Sequence, residues 1–400
     1  MSSANRVPCT VCGVGLPAPQ IYFGKQPPSN RFMPDSTSAV KLEGHALSLS
    51  SCTHCYTVQL FDRMPMEAFR PRYDWLVYNE PEGHLDDVAR HLAALPGIST
   101  SSRLMGITYK DQSTLTRMVN MGFADTLCLR DSDLECAVAP FGLETVQAVL
   151  SSPVNVSRLV ARYGQADILL VRHIAEHSLS SSRLLTSLSA LVSAGGYMML
   201  ELPDSQRVFD GGNYPFIWEE HISYFTESTA RRLAQEVNAE VVWLGRYAYQ
   251  YEDSLNIVLR FPAEVAVKHS TTSQVAVQKQ ARHFFGHFKS VRDQWRARLQ
   301  DIRAKGNQVA VFGAGHLASK FINFFELKDL ITCVIDDHPQ KVGMYMPGSG
   351  LPILPSNQLQ ELGIRYCVST LSPESEVKVR GKLAHFFDNG GSFLSAFSTI

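Results

Sequence analysis

The chain predicts an α/β fold of doubly wound, Rossmann-like units, and three observations carry that expectation. Two short apolar runs, ADILLV at 166–171 and GYMMLEL at 196–202, are bounded by turn residues. Such runs are expected of strands covered by helices on both faces. QVAVFGAGH, beginning at Gln308, reads as strand, glycine turn and helix, and ITCVIDDH supplies a second strand ending in Asp336 and Asp337. The length of 400 residues, 45% apolar and 19% charged, exceeds one ordinary domain and gives two or three.

The totals also bound the partners. A formal net charge of -1 gives no global attraction to nucleic acid or to an anionic membrane, so neither is expected and any anion binding must be local. No run approaches the roughly 18 apolar residues of a spanning helix. MSSANRVPCTVCG lacks the apolar core of a signal peptide, so a cytoplasmic protein is expected. Of eight cysteines, four fall in two C-x-x-C pairs.

Residues 1–68 contain those pairs, Cys9 with Cys12 and Cys52 with Cys55. Four thiolates at this spacing suit a closed tetrahedral zinc site, which stabilises a segment too poor in apolar residues to do so alone. The long intervening loop adds little, because closure cost grows slowly with length. Redox use of either pair is the rival reading, but neither pair opens a helix after a strand.

With FGKQPPSNRF between the pairs and LSSCTHCYTVQL around the second, this segment resembles the zinc-binding amino-terminal domain of the sugar C-methyltransferases that act on nucleotide-linked deoxysugars. The resemblance continues along nearly the whole chain. EEHISYFT is similar to that family's EHxSYFS segment, and about the last hundred residues are similar to its carboxyl-terminal α/β domain. It implies a class I methyltransferase-like (Rossmann-like) central domain over 69–263, a helical linker over 264–304 and a second Rossmann-like, nucleotide-binding domain over 305–400. It also implies S-adenosylmethionine as methyl donor and a nucleotide-linked keto-deoxysugar as substrate.

The central domain opens on RYDWLVYNE, whose Tyr78 is a candidate substrate contact, followed by a helical pattern through Leu85, Val88, Leu92 and Leu95. SSRLMGITYKDQSTLTRM then reads as strand, turn and helix. The resembled family carries a glycine-rich donor turn here, and the aligned candidates are Gly106, Thr108, Lys110 and Asp111. Thr108 and Gln112 replace the two glycines, and side chains there restrict close backbone approach. The next strand, ADTLCL, should end in a ribose-binding acid, but Arg130 stands there with Asp131 after it. Two alternatives stay open: an altered mode of donor binding supported by Gly106, Asp111 and Asp131, or a fold retained while its cofactor site was changed.

FGLETVQAVLSS and NVSRLVARYG read as connecting helices that lead to ADILLV. That run ends in Arg172, His173 and His177, with His173 expected nearer the ligand. His173 and His177 share a helical face in spacing, but the H-E-x-x-H zinc pattern is not matched because Glu176 neighbours the second histidine. Glu201, at the end of the GYMMLEL run, is placed to orient a substrate hydroxyl or a histidine, or to cap a nearby helix. YPFIWEEHISYFT then concentrates Tyr214, Trp218, Glu220, His221 and Tyr224.

The resemblance implies that His221 is the general base beside a sugar ketone. Histidine suits that role because its pKa lies near working pH, and Glu220 would hold its tautomer. The family often has tyrosine where Trp218 stands, so Tyr214 or Tyr224 is the candidate acid and Trp218 a substrate contact. AEVVWLGRYAYQYEDSLNIVLRF reads as two closing strands.

After a small, polar linker, one long amphipathic helix carries Phe284, Phe288, Val291, Trp295, Leu299 and Ile302 at helical spacing. In the last domain Gly313, Gly315, His316 and Asp336 make half a dinucleotide fingerprint, which places a nucleotide or phosphate at the helix start. The resemblance assigns this turn to the nucleotide part of the substrate, with NAD as the other possibility. The expected reaction is C-methylation through an enolate. Epimerisation, dehydration or another enolate reaction on the same fold is the alternative.

Overall fold

The computed structural model describes residues 7–69, 72–73, 75–76, 80–134, 142–249, 252–262 and 274–397. Three strands form first: β1 (Ile21–Gln26), β2 (His45–Ser51) and β3 (Val58–Leu60). Next come β4 (Leu104–Gly106), β5 (Thr126–Cys128), β6 (Ala166–Arg172), β7 (Val192–Asp204), β8 (Ser223–Tyr224), β9 (Glu240–Tyr247) and β10 (Asp253–Arg260). The last part holds β11 (Gln308–Phe312), β12 (Cys333–Ile335), β13 (Ile353–Leu354), β14 (Ile364–Ser369) and β15 (Ser392–Ser395).

The central sheet runs β5-β4-β6-β7-β10-β9. Its first four strands are parallel, and β10 pairs antiparallel with both β7 and β9. This is the mixed α/β, Rossmann-like sheet of a class I methyltransferase domain. The middle of β6 is apolar, as burial on both faces requires: Ile168, Leu169 and Leu170 have no exposure. The chain steps from β4 out to β5, then returns past β4 to β6. The order therefore reverses between β4 and β6, and a crevice opens beyond their carboxyl ends. Helices Leu143–Leu150 and Pro153–Tyr163 make the return connection, as their patterns predict.

The carboxyl-terminal sheet, β13-β12-β11-β14-β15, is parallel throughout, which is the second Rossmann-like unit. A third sheet, β1-β2-β3-β8, is antiparallel. Its last strand belongs to the HISYF segment, with Val58 opposite Tyr224 and Gln59 opposite Ser223. The cysteine-bearing segment and the central domain thus share a sheet, a link between distant residues that spacing along the chain does not reveal.

The helix Gln274–Ala304 spans 31 residues and buries Phe284, Trp295 and Leu299. Tyr214 stacks on Phe284 with centroids 4.6 Å apart, and Trp295 meets Phe321 edge-on at 4.9 Å. Phe23 of β1 stacks on Phe324 at 4.0 Å. One apolar core therefore spans all three parts of the chain. Among the described residues, no helix is long and apolar enough to cross a membrane.

Candidate active site

The four paired cysteines converge. Cys9 Sγ lies 3.4 Å from Cys55 Sγ, and Cys12 Sγ lies 3.5 Å from Cys52 Sγ. Each pair is a tight turn. Gly13 N–H donates to the Cys9 carbonyl and Tyr56 N–H to the Cys52 carbonyl, with φ of +73° and +61° at the donor residues. Further donors point at sulfur: His54 N–H reaches Cys52 at 3.4 Å and Gln59 Nε2 reaches Cys9 at 3.1 Å. Donors of this kind suit thiolates, so the arrangement fits a structural zinc ion with Cys9, Cys12, Cys52 and Cys55 as ligands.

A cavity of about 600 Å³ opens at the carboxyl ends of β6 and β7, where the reversal of strand order places the crevice. All three parts of the chain wall it: Arg31 from the first, His173, Glu201 and His221 from the second, His316 from the third. Trp218, Glu220 and Lys110 also line it. Tyr78 lies outside the described residues.

His221 lines one corner of the cavity. Its ring lies perpendicular to His177, with centroids 4.8 Å apart, and Trp218 flanks it at 5.1 Å. The carboxylate grouped with this pair is Glu176, since ligand atoms of Glu176, His177 and His221 all lie within 4.8 Å of one another. A backbone bond of 2.7 Å from Ile222 N–H to the Glu176 carbonyl fixes the two loops together. Burial, reinforced by His177 and His316, pushes the His221 pKa well below the ordinary histidine value, so its ring is neutral and its lone pair is available. Burial likewise lowers His177.

Glu201 is a hub rather than an open substrate ligand. It pairs with Arg172, with His84 Nε2 at 2.8 Å and with His173 Nε2 at 3.3 Å, and Ser254 Oγ donates to it at 2.8 Å. Burial alone raises its pKa, but His173, His84 and Arg172 hold it well below the carboxylate range. His173 has φ of +50°. Burial opposes its charge, yet Glu201 and Glu176 push its pKa up to about 10, so it faces the cavity as a cation.

The turn after β4 is closed by its own side chains. Asp111, fully buried, accepts from Ile107 N at 2.8 Å, Thr108 N at 2.9 Å and Arg172 N at 3.1 Å. Those backbone donors are therefore already used. A Cβ on Gly106 would lie 2.6 Å from the Asp111 Cβ, so that glycine makes room for Asp111 and not for a ligand. The Arg172 guanidinium donates to the Lys110 carbonyl and to Ser113 Oγ, which packs it against the same turn. Thr108 caps the turn, and Lys110 pairs with Glu80. Arg130 and Asp131, beyond β5, are exposed. These residues do not fit the glycine cradle and ribose acid that S-adenosylmethionine meets in the expected mode.

The structure relocates other sequence-based candidates. Tyr214, expected as a catalytic acid, is fully buried and donates to the Phe284 carbonyl at 2.6 Å within the apolar core. Tyr224 donates to the Trp218 carbonyl at 2.9 Å and accepts from Trp218 N at 2.8 Å, so it shapes the loop and its phenol is not turned to the cavity. Burial raises its pKa well above the ordinary tyrosine value.

Asp336 accepts from Ala314 N at 2.9 Å and pairs with Lys341 at 3.1 Å, which occupies the fingerprint with the chain's own groups. Gly313, with φ of +101°, makes the turn beside it. Gly315 caps the following helix, and His316 at its start reaches the cavity and stacks on Trp218 at 4.8 Å. Glu176 and Arg172 were not singled out for roles by sequence. Their signal was a charge at or just after an apolar strand.

A doubly wound sheet with titratable groups gathered at its strand ends has the plan of an α/β enzyme, and the family matches give its class as methyltransferase. Residues 4–244 match the family described as methyltransferase domain, and residues 264–397 match the C-methyltransferase C-terminal domain. The first match covers more than half of the chain, and the protein belongs to the methyltransferase-domain family.

C-methyltransferase NovU from Streptomyces niveus is 24% identical over 264 residues, which are 63% of this chain and 62% of that protein. The chain thus spans under two thirds of the curated relative it matches. Among solved structures, 1,6-didemethyltoxoflavin-N1-methyltransferase from Burkholderia thailandensis is 12% identical with a TM-score of 0.31, over 45% of this chain and 79% of its own. Magnesium protoporphyrin IX methyltransferase from Synechocystis is 11% identical with a TM-score of 0.29, over 45% and 79%.

Proposed function

We propose that this enzyme is a C-methyltransferase acting on a nucleotide-linked keto-deoxysugar, with His221 as the base that takes a proton from the carbon beside the sugar carbonyl. The supporting observation is the neutral His221 ring at the wall of a 600 Å³ cavity, with Glu176 and His177 grouped around it. When the proton transfers, the Glu176 carboxylate stabilises the imidazolium. The charge that develops on the carbonyl oxygen meets a cavity lined by the His173 cation and Arg31. His316 and the helix start behind it supply the end of the cavity that suits the anionic nucleotide part. The similarity to C-methyltransferase NovU, and to the C-methyltransferase C-terminal domain over 264–397, supports the same reading.

S-adenosylmethionine is the donor named by this proposal, and when bound it supplies an electrophilic methyl group. The closed turn around Asp111 and Arg172 favours a second reading, in which the same base serves epimerisation or dehydration without a donor. Calorimetric titration of the full chain with S-adenosylhomocysteine separates the two. Micromolar binding supports methyl transfer, and no heat at millimolar ligand supports the second reading.

A further inference from the structure

The group of Glu176, His177 and His221 has a feature that proton transfer leaves unused. Glu176 is 1% exposed; its Oε2 has no partner, and its Oε1 has only the contact with His173. Its nearest cationic neighbour is His173, whose Nδ1 is 3.5 Å from Oε1. His177 is 5% exposed, and its Nδ1 also has no partner. The ring nevertheless interacts with the Glu220 backbone. A carbonyl on one side of an imidazole and an open nitrogen on the other is how proteins orient a histidine toward a metal. Buried oxygens and lone pairs left unfilled at such close range carry a desolvation cost that a cation removes.

We infer that Glu176, His177 and His221 bind a divalent transition-metal cation, with the cavity supplying open coordination positions. Two imidazoles and one carboxylate are a donor set for zinc, cobalt, manganese or iron(II), distinct from the all-sulfur set of the cysteine site. Their potential donor atoms, all within 4.8 Å of one another, need only small side-chain adjustments to close on one ion. Ligation occupies the His221 lone pair, so a bound cation and proton abstraction by His221 exclude each other.

Cobalt(II) is the probe, added to the full-length protein with its cysteine site left loaded. The expected result is one further equivalent of cobalt, with weak visible d–d bands and no sulfur-to-cobalt charge-transfer band. Glu176→Gln and His177→Ala should each weaken that uptake at least tenfold, with cysteine-bound metal and circular dichroism unchanged. No uptake beyond the cysteine site at millimolar cobalt, or uptake undiminished in both variants, overturns the assignment.

Discussion

Glu219 and Lys320 form an ion pair 2.6 Å long with side chains only 1% and 0% exposed, joining the central and carboxyl-terminal parts of the chain. Ser29 of the first part completes the contact, its hydroxyl donating to Glu219 Oε2 at 3.1 Å and its backbone N–H to Oε1. Burial raises the Glu219 pKa, but Lys320 outweighs it and keeps the carboxylate charged. Two residues later comes His221. All three parts are therefore tied together at the segment that carries the proposed base.

Removing one partner leaves the other charge buried and uncompensated. Lys320→Met should lower stability by about 3–5 kcal/mol in urea denaturation, and adding Glu219→Gln should restore part of that loss. Additive losses in the double variant would show that the pair is not coupled.

The cysteine site should contribute folding energy that reaches the cavity, because β3 pairs with β8 and β8 follows His221. Elemental analysis of the wild type should show zinc held by the cysteines. Cys52→Ser should lose that ion and lower the melting temperature, with tryptophan fluorescence reporting a change around Trp218. Retention of zinc by the variant would remove Cys52 from the ligand set.

Stability should be highest near neutral pH and fall on both sides. His173 is raised to about 10, so its contribution is full below the unfolded value near 6.5 and is lost as pH rises through 10. Burial pushes Glu252 up to about 8, and its contribution likewise declines as pH rises through that value. His177 and His221 are shifted down, so their contribution is present above about 6.5 and is lost as pH falls. Melting temperatures measured from pH 5 to 10 check this, and a flat profile between 7 and 10 would contradict the assigned charges.

Much of this was legible in the sequence. ADILLV and GYMMLEL became adjacent central strands, QVAVF and CVI became parallel neighbours, and the paired cysteines converged. These features rest on local patterning, because apolar runs and turn residues declare themselves within a few positions. The partners of charged groups were not legible. Sequence adjacency pointed to Glu220 beside His221, whereas folding groups Glu176 with it from 45 residues upstream, an offset given by the two residue numbers. Asp111 survived as a recognisable acid, yet its oxygens serve the turn's own N–H groups. Tyr214 and Tyr224 have the chemistry of acids, but their hydroxyls satisfy backbone groups. Such assignments depend on which buried polar group needs a partner, which only the packed chain decides.

The central claim is that His221 draws a proton from the carbon beside a carbonyl, and hydrogen–deuterium exchange tests it without a methyl donor. A nucleotide-linked keto-deoxysugar in heavy water, followed by proton NMR, should lose its signal at that carbon when the wild-type protein is added. His221→Ala should slow the exchange at least about 100-fold while the fold and the cysteine-bound zinc remain unchanged. Exchange at the wild-type rate in that variant would contradict the account.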